Sequence, residues 1–176
     1  MTLCRCLIAL LAAGAAPSLA QTPHVYVDLS GPWTRVEAGK LPFPMSLPRE
    51  SIVSEPPFRL ERSVRLPAVG LSGLSLLMSP LGGGYLVNVN GTLVGGLRSS
   101  HTWWAIPEKG VLLPLPDGLL HEGENRIEIQ AEGTRQGDPL SSMQPTSPFI
   151  RPALGEAGEL RKIAEGQRSA DQLAHV

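Results

Sequence analysis

The sequence predicts an all-β domain, a β-sandwich with jelly-roll connectivity, followed by a C-terminal helical segment. Three observations carry that prediction. Asn90-Gly91 sits between the runs Tyr85 to Val89 and Thr92 to Gly95. An Asn-Gly pair between apolar and β-branched residues marks a tight hairpin, because a type I′ turn needs positive φ at both central residues. Phe58 to Leu66 and Arg126 to Ala131 alternate apolar and polar side chains, the pattern of a strand with one buried face. The chain also carries 19 glycines and 17 prolines, punctuation that suits many turns and leaves few stretches able to hold a long helix. Short strands joined by both hairpins and longer connections favour jelly-roll order.

The first element is not part of that domain. Met1 to Ala20 reads as a secretory signal peptide: Arg5 supplies the positive start, Leu7 to Ala16 is a short apolar run, and Ser18-Leu19-Ala20 fits the small-x-small cleavage rule. The apolar run is shorter than the ~20 residues that span a bilayer. The expected location is therefore periplasmic or secreted, with the sandwich over 21–155 and a helix or tail over 156–176. Both cysteines, Cys4 and Cys6, fall in the leader, so the mature chain is expected to hold no disulfide and to rest on core packing alone. Arg5 is the leader's only charged residue, so its removal takes the formal net charge from −1 to −2. Such a balance gives no electrostatic footprint for nucleic acid or anionic lipid. No later segment is apolar enough to be expected to span a membrane.

Within the domain, Val25 to Leu29 is a first strand and Trp33 to Glu37 a second. Leu41 to Pro57 contains five prolines and reads as an ordered extended loop whose Leu41, Phe43, Met45 and Leu47 need cover. Phe58 to Leu66 places Phe58, Leu60, Val64 and Leu66 on one face. Arg62 is the exception on that face and is expected either to meet a ligand in a groove or to pair with a carboxylate at the sheet edge. Leu74 to Met78 is continuously apolar, as a strand buried on both sides would be. Pro80 to Gly84 is a turn leading into the hairpin, where Tyr85, Val87 and Val89 share a face. Val111 to Leu115, then Arg126 to Ala131, continue the strands. Gly133 to Thr146 is a polar loop, and Phe149 to Leu154 is a last strand broken by Pro152. Glu156 to His175 lacks proline and predicts a helix. Its apolar face is thin, so it is expected to pack little on the sandwich.

Several of these residues resemble a known pattern. Asp28-Leu29-Ser30-Gly31-Pro32-Trp33, Arg62-Ser63-Val64-Arg65-Leu66-Pro67, Val89-Asn90-Gly91-Thr92-Leu93-Val94-Gly95 and Leu119 to Ile129 with Gly123-Glu124-Asn125 stand in the order and spacing of the sugar-binding domain of family 2 glycoside hydrolases. They cover Asp28 to Ala131. The resemblance implies a galactose-binding-like jelly-roll β-sandwich. The same motifs resemble the periplasmic sensor modules of bacterial membrane kinases and diguanylate cyclases. Pro148 to Arg161 loosely matches the segment that leads those modules into the membrane. The hydrolase family carries its catalytic carboxylates on a (β/α)₈ barrel of ~200 residues or more. The chain has no room for one, so the resemblance implies fold and ligand class rather than hydrolysis.

The residues themselves offer little chemistry. Glu122, Glu124, Glu128 and Glu132 are clustered in sequence but fit a solvated strand face better than the paired carboxylates of a glycosidase. His24, His101, His121 and His175 lack metal-ligand spacing, so no transition metal and no cofactor is expected. Calcium is left open. Gly-x-Ser-x-Gly is absent, and Gly82-Gly83-Gly84 precedes a strand rather than a helix. Asn90-Gly91-Thr92 is a formal glycosylation sequon better explained by the hairpin. The remaining candidate is Arg98-Ser99-Ser100-His101-Thr102-Trp103-Trp104. Aromatic faces stack on sugar C–H surfaces, while Arg and His hydrogen-bond hydroxyls. Trp103, Trp104, Arg98 and His101 are thus the expected ligand-binding residues of a non-catalytic module for a carbohydrate or similar small polar ligand. The alternative is an interaction domain that docks another envelope protein and has no small-molecule site.

Overall fold

The structure, a computed structural model, describes residues 25–47, 56–78, 84–97, 110–132 and 150–174. The strands are β1 (Tyr26–Asp28), β2 (Gly31–Val36), β3 (Phe43–Leu47), β4 (Phe58–Leu66), β5 (Leu74–Met78), β6 (Tyr85–Val89), β7 (Thr92–Leu97), β8 (Val111–Pro114), β9 (Gly123–Ala131) and β10 (Ala153–Glu156), followed by the helix α1 (Ala157–Ala174). They form two antiparallel sheets, one of six strands in the order β3-β2-β4-β9-β6-β7 and one of four in the order β1-β10-β5-β8.

The two alternating segments are the backbone of the larger sheet. β4 and β9 pair along their whole length, from Phe58 opposite Ala131 to Leu66 opposite Gly123. Their inward residues Leu60, Val64, Ile127 and Ile129 are buried against Leu74, Leu76, Met78, Leu113 and Leu154 of the smaller sheet. The period-2 pattern thus becomes a two-layer core, as sandwiches require. The hairpin forms as its sequence predicts. Asn90 and Gly91 have φ of 49° and 80°, and Val89 pairs with Thr92. After Asn88–Leu93 the register steps to Val87–Gly95, so Val94 is the extra residue of a bulge. A Cβ on Gly95 would stand 2.9 Å from Leu113 of β8. The glycine lets β7 lean onto the other sheet and close one side of the sandwich.

Three expectations are corrected. The proline-rich stretch is not all loop: β3 pairs with β2, with Pro44 opposite Thr34. A proline cannot donate to a ladder, and β3 is the outermost strand of its sheet, where that omission is tolerated. Nor is its apolar set all covered, since Leu47 is buried while Leu41 is 87% exposed. The last strand begins after Pro152 rather than before it, running Ala153–Glu156 between β1 and β5. The helix is no loose tail. Leu160 and Ala164, one turn apart, are buried with Leu77, Ile150 and Ala153. β5 is a strand with two buried faces: Leu74, Leu76 and Met78 turn into the sandwich and Leu77 turns out beneath α1. Leu77 and Ile150 are the apolar surface that gives even a narrow helix stripe something to bury. The leader at 1–20, the turn residues 80–83 and the loop 133–146 lie outside the described residues. No helix among the described residues is long and apolar enough to cross a membrane.

Candidate functional site

Arg98, His101, Trp103 and Trp104 lie outside the described residues. The chain is described up to Leu97, at the end of β7, and again from Gly110, before β8. Leu97 pairs with Tyr85, the first residue of β6. The predicted binding segment therefore departs from the end of the six-stranded sheet where β6 starts and β9 finishes.

The family-like motifs within the described residues hold the fold together. Asn125 is fully buried. Its Oδ1 accepts from the Asn90 amide at 2.8 Å and the His121 backbone N–H at 3.1 Å. Its Nδ2 donates to the carbonyls of His121 at 2.7 Å and Gly123 at 3.1 Å. Asn90 in turn donates to the Leu119 carbonyl and accepts from the Arg126 N–H, both at 2.9 Å. The hairpin asparagine and the strand asparagine are thus one network, with the polar groups of Asn125 paired as burial demands. The Asn90 amide nitrogen that a glycan would need is committed to two acceptors.

The second cluster explains Arg62. Its guanidinium donates to the carbonyls of Leu29 at 2.7 Å and Ser30 at 2.8 Å and lies 5.9 Å from the centre of the Trp33 ring. Trp33 is in the core, and its indole N–H also donates to Leu29 O at 2.9 Å. The arginine was expected to face a carboxylate or a ligand. It instead caps two carbonyls in the bend between β1 and β2, where the chain crosses between the sheets. Ser30 N–H donates to Asp28 Oδ1 at 2.7 Å in the same bend. Hydrogen bonding from Ser30, aided by the nearby Arg151 and Arg62, holds the Asp28 carboxyl below its ordinary range.

One open cleft stands apart from these structural clusters. It has a volume of about 510 Å³ and is lined in part by Glu37, Phe58, Arg59, Leu86, Gln130 and Glu132. Its floor follows from register. Val36 opposes Arg59, Arg59 opposes Gln130, and Gln130 opposes Leu86, so four outward side chains lie in one row across β2, β4, β9 and β6. Strand ends and their continuations make the rim: Glu37 follows β2, Pro57 precedes β4, and Glu132 follows β9, its backbone N–H donating to Gly84 O at 2.8 Å.

The charges around the cleft are mostly spoken for. Glu37 is 2.6 Å from Arg35 Nε and 2.6 Å from Lys40 Nζ. The Lys40 ammonium, with Arg35 assisting, holds the Glu37 carboxyl below its ordinary value against the opposing effect of burial. The buried Arg35 guanidinium stacks 4.0 Å over the Phe58 ring, and Phe43 flanks it at 5.6 Å. On the open face of the sheet, Arg59 Nε lies 2.6 Å from Glu61 Oε1. Glu61 and Glu128 oppose each other across β4 and β9, a repulsive juxtaposition that Arg126 bridges at 2.7 and 3.4 Å. Glu132 is exposed and its carboxylate has no ion pair among the described residues. Glu122 and Glu124 are likewise exposed, the solvated placement expected of that cluster. Among the described residues no three His, Cys, Asp or Glu side chains come together to hold a metal ion. Register across four strands is invisible in a linear sequence, which is why Arg59, Leu86 and Gln130 escaped notice there.

With two antiparallel sheets and this connectivity, the fold is a jelly-roll β-sandwich. Among solved structures it is similar to the β-D-glucuronidase of Dictyoglomus thermophilum, at 20% identity over 79% of this chain and a TM-score of 0.51. The match spans 28% of that enzyme's chain, so the two share a domain fold. The β-glucuronidases of Bifidobacterium dentium, at 18% identity over 66% of this chain and 21% of its own, and of Ruminococcus gnavus, at 13% over 68% and 24%, both align with a TM-score of 0.49. No protein-family model matches the sequence, and no curated protein does.

Proposed function

We propose that this protein is a secreted or periplasmic, non-catalytic module that binds a carbohydrate or similar small polar ligand at the cleft end of its six-stranded sheet. The observation that carries the proposal is the cleft's mixed lining. Leu86 and Val36 on the floor, with Pro57 at the rim, offer apolar surface for the C–H face of a sugar ring. Gln130 can donate to and accept from hydroxyls, Glu37 and Glu132 can accept, and Arg59 can donate. Arg98, His101, Trp103 and Trp104 belong to the same reading. They follow the strand that ends at Leu97, beside the strand that carries Leu86, and Trp103 and Trp104 would supply the stacking surface. The fold shared with a domain of a glucuronidase supports the ligand class by analogy only. A sensory role, with α1 passing the signal, is the wider form of the proposal.

The test is a titration of the full-length protein with a panel of sugars and cell-wall fragments, following the thermal midpoint and tryptophan fluorescence together. A ligand at a hundred times its dissociation constant adds about 2.7 kcal/mol of stability. At ~2–4 °C per kcal/mol for a domain of this size, the midpoint rises by several degrees. The shift should vanish in Trp103→Ala and Gln130→Ala. A panel without response defeats the proposal. It would leave the docking of another envelope protein, which the exposed Leu41 and Phe43 at the β3 edge favour, to be sought by pull-down.

A further inference from the structure

Of the chain's asparagines, Asn88, Asn90 and Asn125, only Asn90 precedes a glycine. We infer that Asn90 is a site of spontaneous deamidation, held silent by the fold and released when the β6–β7 hairpin opens, and that its products cannot rejoin the fold. No side chain shields the nitrogen of a glycine, so in an Asn-Gly pair it can attack the asparagine Cγ. Gly91 is exposed, and a Cβ built on it would meet nothing within 4 Å. The Gly91 N–Cγ bond forms and the Gly91 amide proton is lost. The Cγ–Nδ2 bond breaks and ammonia leaves. Water, the one co-reactant, then opens the cyclic imide. Cleavage at Cγ leaves aspartate. Cleavage at the main-chain carbonyl of residue 90 leaves an isoaspartyl link, with Cβ inserted into the backbone.

The folded state blocks the first step. Closing the imide requires the Asn90 carboxamide to swing over the Gly91 peptide, and that carboxamide is held at both ends. Its nitrogen donates to Leu119 O at 2.9 Å and Asn125 Oδ1 at 2.8 Å, and its oxygen accepts the Arg126 N–H at 2.9 Å. The attack therefore waits for the hairpin to part from β9, a local opening populated only a small fraction of the time. The fold also rejects the products. Asp-Gly suits a type I′ turn as Asn-Gly does, so the turn itself tolerates aspartate. The network does not. A carboxylate oxygen in place of Nδ2 would face two acceptors, Leu119 O and Asn125 Oδ1, with no proton between them. Asn125 cannot turn its amide over to help, because its Oδ1 also accepts from His121 N–H and its Nδ2 donates to His121 O and Gly123 O. The isoaspartyl link lengthens a turn that has to join the paired Val89 and Thr92. Each opening thus risks a permanent chemical exit from the folding equilibrium.

The test keeps the full-length protein in mildly alkaline buffer, folded or in urea. Mass spectrometry follows the peptide that contains Asn90, and an isoaspartyl methyltransferase labels the isoaspartyl product. In urea, Asn90 should deamidate ahead of Asn88 and Asn125. In the folded protein its rate should fall by about tenfold or more, a factor set by how rarely the hairpin opens. Asn90→Asp tests the aspartyl product directly. Its thermal midpoint should lie several degrees below the parent's and also below that of Asn90→Gly, which suits the same turn and adds no charge. Equal rates in buffer and urea would overturn the protection. An Asn90→Asp midpoint at or above that of Asn90→Gly would overturn the rejection of the product. If Asn90 stays intact in urea, the site itself falls.

Discussion

Replacing Asn125 by alanine removes four hydrogen bonds at one point in the core. The side chain is fully buried and bonds Asn90, the His121 N–H, and the carbonyls of His121 and Gly123 at 2.7 to 3.1 Å. A typical hydrogen bond contributes ~1 kcal/mol net, but a buried partner left unpaired costs about 1–3 kcal/mol. Asn90 keeps its bond to the Leu119 carbonyl, so it does not bear the full penalty. The His121 and Gly123 groups lie near a turn where water can reach some of them. A loss of about 3–4 kcal/mol follows, placing Asn125→Ala among strongly destabilising substitutions. Urea denaturation of the full-length protein measures it, with Glu124→Ala, an exposed neighbour, as the control expected within ~0.5 kcal/mol of the parent. Because the two asparagines touch, Asn90→Ala and Asn125→Ala should be less than additive. A loss below about 1 kcal/mol for Asn125→Ala, or full additivity with Asn90→Ala, would refute the view that one network ties the hairpin to β9.

Three further outcomes are expected. Arg62→Ala should cost about 2–4 kcal/mol through its two charged hydrogen bonds to Leu29 and Ser30, and Arg62→Lys should recover only part, since both bonds come from Nη1 and the lysine side chain is shorter and lacks the planar group beside Trp33; thermal denaturation reads both. Leu160→Ala should cost about 2–4 kcal/mol because the residue is fully buried between α1 and the smaller sheet, whereas a helix that merely trails the domain would leave the midpoint unchanged. Asp28 has a carboxyl held below its ordinary value, so its contribution is present above the unfolded value near ~3.9 and disappears as pH falls through the lower folded value. Asp28→Asn should therefore flatten the acid limb of a stability–pH curve and lower stability near neutrality.

What the sequence discloses is what local chemistry decides. The hairpin was legible because positive φ at two adjacent positions selects Asn-Gly, and β4 was legible over Phe58–Leu66 because one face of the strand is buried along nearly its whole length. The strand at Phe43–Leu47 was hidden by Pro44, which argues against a central strand but not against an edge. The docking of α1 was missed because the helix shows only a thin apolar stripe. The complementary surface, Leu77 with Ile150, comes from segments far away in the chain. Arg62 looked anomalous on an apolar face since its partners, two carbonyls at Leu29 and Ser30, carry no side-chain signal. The candidate site divides the same way. Arg98, His101, Trp103 and Trp104 can be picked out by residue type, whereas the cleft row of Val36, Arg59, Gln130 and Leu86 exists only once four strands are in register.

The measurement closest to the centre of the account is a calorimetric titration of the full-length protein and of Gln130→Arg with the best sugar from the panel. Gln130 is exposed, so the variant should fold with an unchanged midpoint while its longer side chain fills the cleft. The account predicts saturable binding to the parent and none to the variant. Equal affinity in both, or no binding to either, would contradict it.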